Sequence, residues 1–126
     1  MSPAGSDPRH RDGAAAEELA CDHLLRHGLT LVERNFRVRG GEIDLILRDG
    51  DTLVFGEVRY RRSNRFGRPE ETVGSAKQRR LIHAARHYLQ RHAPDSRARF
   101  DVIAVSPETA GYAIQWIRDA FAAPDA

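Results

Sequence analysis

Gly41-Glu42-Ile43-Asp44-Leu45-Ile46-Leu47 and, beyond the turn Asp49-Gly50-Asp51, Thr52-Leu53-Val54-Phe55-Gly56-Glu57-Val58-Arg59-Tyr60 are the stretches that decide how this chain folds. Two apolar-rich runs joined by a short Asp/Gly turn read as a β-hairpin. Side chains alternate faces along a strand, so Glu57 and Arg59 point the same way, roughly 6–7 Å apart along the backbone. Ile43, Leu45 and Leu47 are expected on one face of their strand, with Asp44 aligned with Glu42 on the other. The hairpin then brings Asp44 and Glu57 together beside a cation, an arrangement that binds a hard divalent metal and handles a phosphate. The same residues also fit two surface acids on a half-exposed hairpin, paired with nearby arginines.

Outward from the hairpin, the pattern predicts a helix from about Ala14 to His27, capped by Asp12 and stopped by Gly28. Strands follow at about 30–38, 42–48 and 52–60. After a loop from Arg61 to Gly74, Ser75-x-x-Gln78 has the form of a capping box opening a second helix that runs to about Arg91. Further strands are expected at about 98–105 and 112–117, with a turn around Pro107 to Gly111. Residues 1–12 lack periodicity and are expected to be a disordered tail, 13–121 a single domain, and 122–126 a frayed end. Helix, three strands, helix, strand, strand gives an α/β core with helices packed on a mixed sheet.

Composition narrows the classes further. A chain of 126 residues with one cysteine, Cys21, has no internal disulfide framework and fits a reducing compartment. No stretch approaches a membrane span and the polar N-terminus lacks a signal-like apolar run, so the expectation is a cytoplasmic protein with no membrane partner. The net charge of +2 hides an asymmetry: residues 57–99 carry twelve Arg/Lys against four Asp/Glu, and the segments on either side are each −3. Such a block attracts polyanions without regard to sequence, although an arginine-rich solvated surface has the same composition. Nineteen of the twenty Lys/Arg residues are arginine, and Lys77 is the single lysine.

Several short motifs extend along most of the chain. They are Gly13-x-x-x-Glu17-x-x-Ala20 with Leu24 and Gly28; Arg34-Asn35-Phe36; Gly40-Gly41-Glu42-Ile43-Asp44-Leu45-Ile46; and Val54-Phe55-x-Glu57-Val58-Arg59. Phe66-Gly67, Lys77-Gln78 and Arg99-Phe100-Asp101-Val102-Ile103 complete them. Together, over about residues 13–118, they resemble the bacterial YraN-like proteins (the UPF0102 group). That resemblance implies a restriction-endonuclease-like fold of the PD-(D/E)xK kind, related to archaeal Holliday-junction resolvases. It implies a metal-dependent endonuclease acting on DNA, branched or structured DNA above all, with Mg²⁺ or Mn²⁺ held by Asp44 and Glu57. It also places a glutamate of the first helix, Glu17, near the metal. Cutting a junction needs two symmetric sites, hence a homodimer.

The chain departs from the general nuclease pattern at Arg59, where that pattern has lysine. Arginine stays protonated and cannot act as a base, but its fork clamps a phosphate and stabilises developing charge. A nucleic-acid-binding module that has lost catalysis therefore stands as the second reading, and a protein-interaction adaptor as a third. Lys77 is a candidate substitute. It lies on the side of the second helix marked by Leu81, Ala84, Ala85 and Tyr88, in a first turn where the dipole disfavours a cation. A carboxylate or phosphate would compensate it, and a lysine snorkelling at the helix edge fits as well.

On the first helix, the stripe Ala16, Leu19, Ala20, His23 and Leu24 puts Glu17 at its edge and Glu18 in solvent. Glu17 could reach the site through a water, or pair with an arginine at the edge of the core. Arg61, Arg62, Arg65 and Arg68 continue from the Glu57–Arg59 strand and are the candidate nucleic-acid contacts, adding affinity with little sequence preference. Arg79, His83 and Arg86 fit a contact with a nucleic-acid backbone but read first as a solvated helix face, and Asp101 as a structural acid paired with an arginine. The histidines lack zinc-ligand spacing, and no phosphate loop or nucleophile motif is present.

Overall fold

Period-2 patterning in the middle of the chain and 3.6-residue patterning on either side of it produce a mixed sheet with one helix on each face. The structure, a computed structural model, describes residues 8–61 and 73–123, with side chains from Gly13 onward. Helix α1 spans Pro8–Arg26, and strands β1, β2 and β3 span Thr30–Val38, Gly41–Asp49 and Thr52–Tyr60. Helix α2 covers Ser75–His92, followed by β4 (Arg97–Glu108) and β5 (Gly111–Phe121). The sheet order is β1-β2-β3-β4-β5; every neighbouring pair is antiparallel except β3 and β4, which are parallel. A parallel pair needs a crossover, and α2 supplies it.

The central strands are buried on both faces. Ile46, Leu53, Phe55, Phe100 and Val102 pack with Leu81, Ala84, Ala85 and Tyr88 of α2. Leu45, Leu47, Val54, Ile103 and Val105 pack with Ala16, Ala20, Cys21 and Leu24 of α1. Phe55 is in ring contact with both Tyr88 and Phe100, at centroid distances of 6.0 and 5.7 Å. Glu57 has the same strand parity as Leu53 and Phe55, so it faces α2.

Several local expectations are corrected. Helix α1 begins at Pro8, so residues 8–12 are helical and Asp12 lies inside the helix instead of capping it. Proline is tolerated in a first turn because its missing N–H would have had no partner there. At the start of α2 the cap is Gly74, not Ser75, with no side-chain cap bond. Gln78 reaches back all the same, donating from Nε2 to the Val73 carbonyl at 2.9 Å. Strands β4 and β5 run longer than expected. Pro107 is accommodated within β4 because the β3 partner strand ends at Tyr60, opposite Val105.

The largest correction concerns β2. Ile43 packs on the α2 side while Leu45 and Leu47 pack on the α1 side, so the three do not share a face. Strand β1 makes the same change. Arg34, opposite Leu45, contacts Glu18 and Cys21 of α1, whereas Phe36, opposite Ile43, joins the α2 core. Between them Asn35 adopts φ 51°, a left-handed conformation that asparagine tolerates better than most residues. Both strands therefore change sides at Asn35 and Asp44.

Candidate metal and phosphate site

This change of sides opens a fork in the sheet. The β2–β3 ladder runs from Asp49/Thr52 to Leu45/Gly56. At the next step the Asp44 carboxylate takes over, accepting a hydrogen bond from the Val58 backbone N–H at 2.9 Å. A side chain thus satisfies a ladder donor, which fixes one oxygen of Asp44 and aims the carboxyl group into the fork.

Glu57 is only 3% exposed. Its Oε1 lies 3.4 Å from Lys77 Nζ and 3.6 Å from Arg59, while its Oε2 is buried with no hydrogen-bond partner. Burial raises the Glu57 pKa to about 8, reinforced by the neighbouring Asp44 and opposed by Lys77 and Arg59. Burial also raises the pKa of Asp44, against the lowering effect of the Val58 bond. The two carboxyl groups interact directly, so a proton stays with the pair near neutral pH.

Glu17 sits half-buried on α1 and its pKa is also raised, first by burial and then by Asp44. Arg34 and an Asn35 side-chain hydrogen bond offset part of that shift. Glu18, one residue on, is exposed and paired with Arg34. Lys77 also lies 3.8 Å from Glu42, which in turn pairs with Arg37 at 3.5 Å. The lysine's placement in the first turn of α2 is thus compensated by two carboxylates.

Asp44, Glu57, Arg59 and Lys77 converge, with Glu17 electrostatically linked to Asp44. Arg61 follows β3 and its backbone N–H is bonded to the Val105 carbonyl at 2.8 Å. Arg62, Arg65 and Arg68 lie outside the described residues. Asp101, expected to pair with an arginine, is fully buried and does so: Arg99 Nε donates to it at 3.0 Å. It also accepts from Trp116 Nε1 and from the Asp119 backbone N–H, both at 2.9 Å. Arg99 reaches Asp49 as well, at 2.9 Å, so the Asp49-Gly50-Asp51 segment is tied to β4 and is more than a turn. Asn35, part of the Arg34-Asn35-Phe36 motif, contributes its side-chain hydrogen bond to Glu17 and the left-handed backbone at which β1 changes sides.

The donor set suits a hard divalent cation. Two carboxylates offer oxygen ligands, and Glu57 Oε2 is buried with no hydrogen-bond donor among the described residues beyond the proton that it shares with Asp44. No group of three or more His, Cys, Asp or Glu residues is gathered for a metal among the described residues, so protein side chains alone would not enclose the ion. Mg²⁺ accepts this, since it is commonly held by one or two carboxylates with water and substrate phosphate completing the shell. The fold and site define a small α/β domain with a carboxylate pair at a strand fork and two cations over it.

The family model described as "Uncharacterised protein family UPF0102" matches residues 16–105, and the chain belongs to that family. A UPF0102 protein of Chromohalobacter salexigens is 54% identical over 121 residues, covering 96% of this chain and 98% of its own. One from Nitrosococcus oceani is 52% identical over 124 residues, covering 96% and 97%. The Nitrosomonas europaea protein NE0719 is 48% identical over 121 residues, covering 96% and 98%. The matched region contains every member of the acid and cation cluster.

Proposed function

We propose that this protein is a metal-dependent phosphodiesterase acting on DNA, with branched or structured DNA as its preferred substrate. The observation that carries this reading is Glu57: a buried carboxylate with one orphaned oxygen, coupled to Asp44 and flanked by Lys77 and Arg59. Burying Glu57 beside the half-buried Asp44 is costly, and groups so perturbed at a fork in a sheet are functional-site candidates. Asp44 and Glu57 would hold Mg²⁺ or Mn²⁺, which supplies a lowered pKa for an attacking water and polarisation of the phosphoryl oxygen. Arg59, always protonated, clamps the scissile phosphate and stabilises charge that develops on it. Lys77 supplies what Arg59 lacks, an ammonium able to give and regain a proton beside the reacting phosphate. Glu17 orients water on the α1 side of the cluster.

The reading is tested by cleavage of linear, flapped and four-way-branched DNA in Mg²⁺, Mn²⁺ or EDTA, with Asp44→Ala beside wild type. Metal-dependent cuts that disappear in the variant are the expected result. Salt-sensitive binding without cleavage in any metal would overturn it in favour of an inactive nucleic-acid-binding module, the alternative that Arg59 favours.

A further inference from the structure

Two adjoining grooves on the α2 side of the sheet lead away from the carboxylate cluster, the first sharing Lys77 with it. The first, about 280 Å³, lies between the β1–β2 turn and the start of α2 and is lined by Arg37, Gly41, Glu42, Lys77 and Arg80. The second, about 570 Å³, continues over the outer side of α2, past Arg79, Ile82, His83 and Arg86. Gly40 and Arg80 line both, so the grooves are continuous. One end opens at Lys77, 3.4 Å from Glu57.

We propose that this double groove carries the sugar–phosphate backbone of a nucleic-acid strand away from the phosphate held at Asp44 and Glu57. The inference rests on the function proposed above and adds a path for the substrate. Charge is the first support. Arg37, Lys77, Arg79, Arg80 and Arg86 line the path, and Glu42, the one acid among its described lining residues, is already engaged by Arg37 and Lys77. The first turn of α2 contains no acid, so the helix dipole adds to the positive potential.

Rigidity is the second support. A Cβ at Gly41 would lie 2.4 Å from the Arg80 carbonyl oxygen, so strand and helix meet there backbone to backbone. His83 Nε2 is 3.0 Å from the Arg39 carbonyl and ties the β1–β2 turn to the same helix. The groove is therefore held in place before any ligand arrives, which lowers the entropic cost of binding.

The test is fluorescence anisotropy of a fluorescein-labelled DNA duplex in EDTA, so that binding is read without cleavage, across a range of salt concentrations. The Arg79→Ala/Arg80→Ala double variant changes two exposed side chains and leaves the carboxylate cluster intact. It is expected to weaken binding at least about tenfold at low salt and to reduce the slope of log affinity against log salt by roughly two. Arg26→Ala, exposed at the far end of α1, is expected to change neither. A double variant with the wild-type slope and affinity would overturn the groove and leave the reading of the cluster standing. Absence of salt-dependent binding by the wild type to this duplex and to a labelled four-way-branched DNA alike would overturn both. Displacement of the DNA by poly-glutamate at equal charge concentration would reassign the groove to an acidic peptide.

Discussion

Glu57 binds its proton more tightly in the folded protein than in the unfolded chain, and this has a measurable consequence. An acid whose pKa rises from 4.5 to about 8 on folding contributes stability that is complete below pH 4.5 and is lost as pH rises through 8. Without metal, the protein should therefore lose up to about 1.4 kcal/mol per pH unit across that window. Urea unfolding at several pH values in EDTA reads this directly, and Glu57→Gln is expected to flatten the curve. Adding Mn²⁺ at pH 8 should restore stability to the wild type and not to Glu57→Gln, because the ion replaces the proton. A flat wild-type curve would mean that the pair is not strained. Lys77 and Arg59 separate at the same scale. If Lys77 performs proton transfer, Lys77→Arg should lower the cleavage rate by about 10²-fold or more and displace its pH profile. Arg59→Lys should leave that profile in place. Equal losses from both substitutions would instead assign the two residues a shared electrostatic role.

The elements hold these residues through a few backbone contacts. Gly41 is the clearest case, since any side chain there strikes the Arg80 carbonyl oxygen and the Ala84 Cβ, which belong to α2. Gly41→Ala should cost on the order of 1–3 kcal/mol and shift Lys77 away from Glu57, because α2 carries Lys77 and must retreat. Gly13 is the contrast, inside α1 with nothing within 4 Å of a Cβ. Gly13→Ala is expected to stabilise by about 0.5–1 kcal/mol, read by urea unfolding of both variants beside wild type. At the element level the strands were legible in the sequence, because β1 and β3 keep the bounds that β-forming runs and turn residues set, Thr30–Val38 and Thr52–Tyr60. Alternation misplaced Ile43 relative to Leu45. The left-handed Asn35 and the fork at Asp44 come from how β1, β2 and β3 diverge, which no local pattern encodes. The start of α1 was missed because Gly13 lowers helix propensity just where the helix continues N-terminally.

For the whole molecule, Asp101 joins β4 to β5 and, through Arg99, to the end of β2 at Asp49; it is paired with Gly56 but lies on the opposite face of the sheet from Glu57. Asp101→Ala should destabilise by about 1–3 kcal/mol by removing the acceptor of the Trp116 indole N–H and the Asp119 backbone N–H, while Arg99 keeps Asp49. Circular dichroism would show the loss of Tm, whereas an unchanged Tm would mean that the network is dispensable. No helix among the described residues is long and apolar enough to cross a membrane. The basic excess of residues 57–99 acquires a place only in three dimensions, where α2 sets Arg79 and Arg80 beside the β1–β2 turn. By itself the sequence determined the α/β class, the element order, the family and the identity of the acids, because periodicity and motif are local properties of the chain. Only the tertiary structure decided that Lys77 meets Glu57, that Asp44 replaces a ladder bond, and that Glu57 is buried with an unpartnered oxygen. Those facts depend on where strands split and helices dock, and both are set by packing across distant parts of the chain.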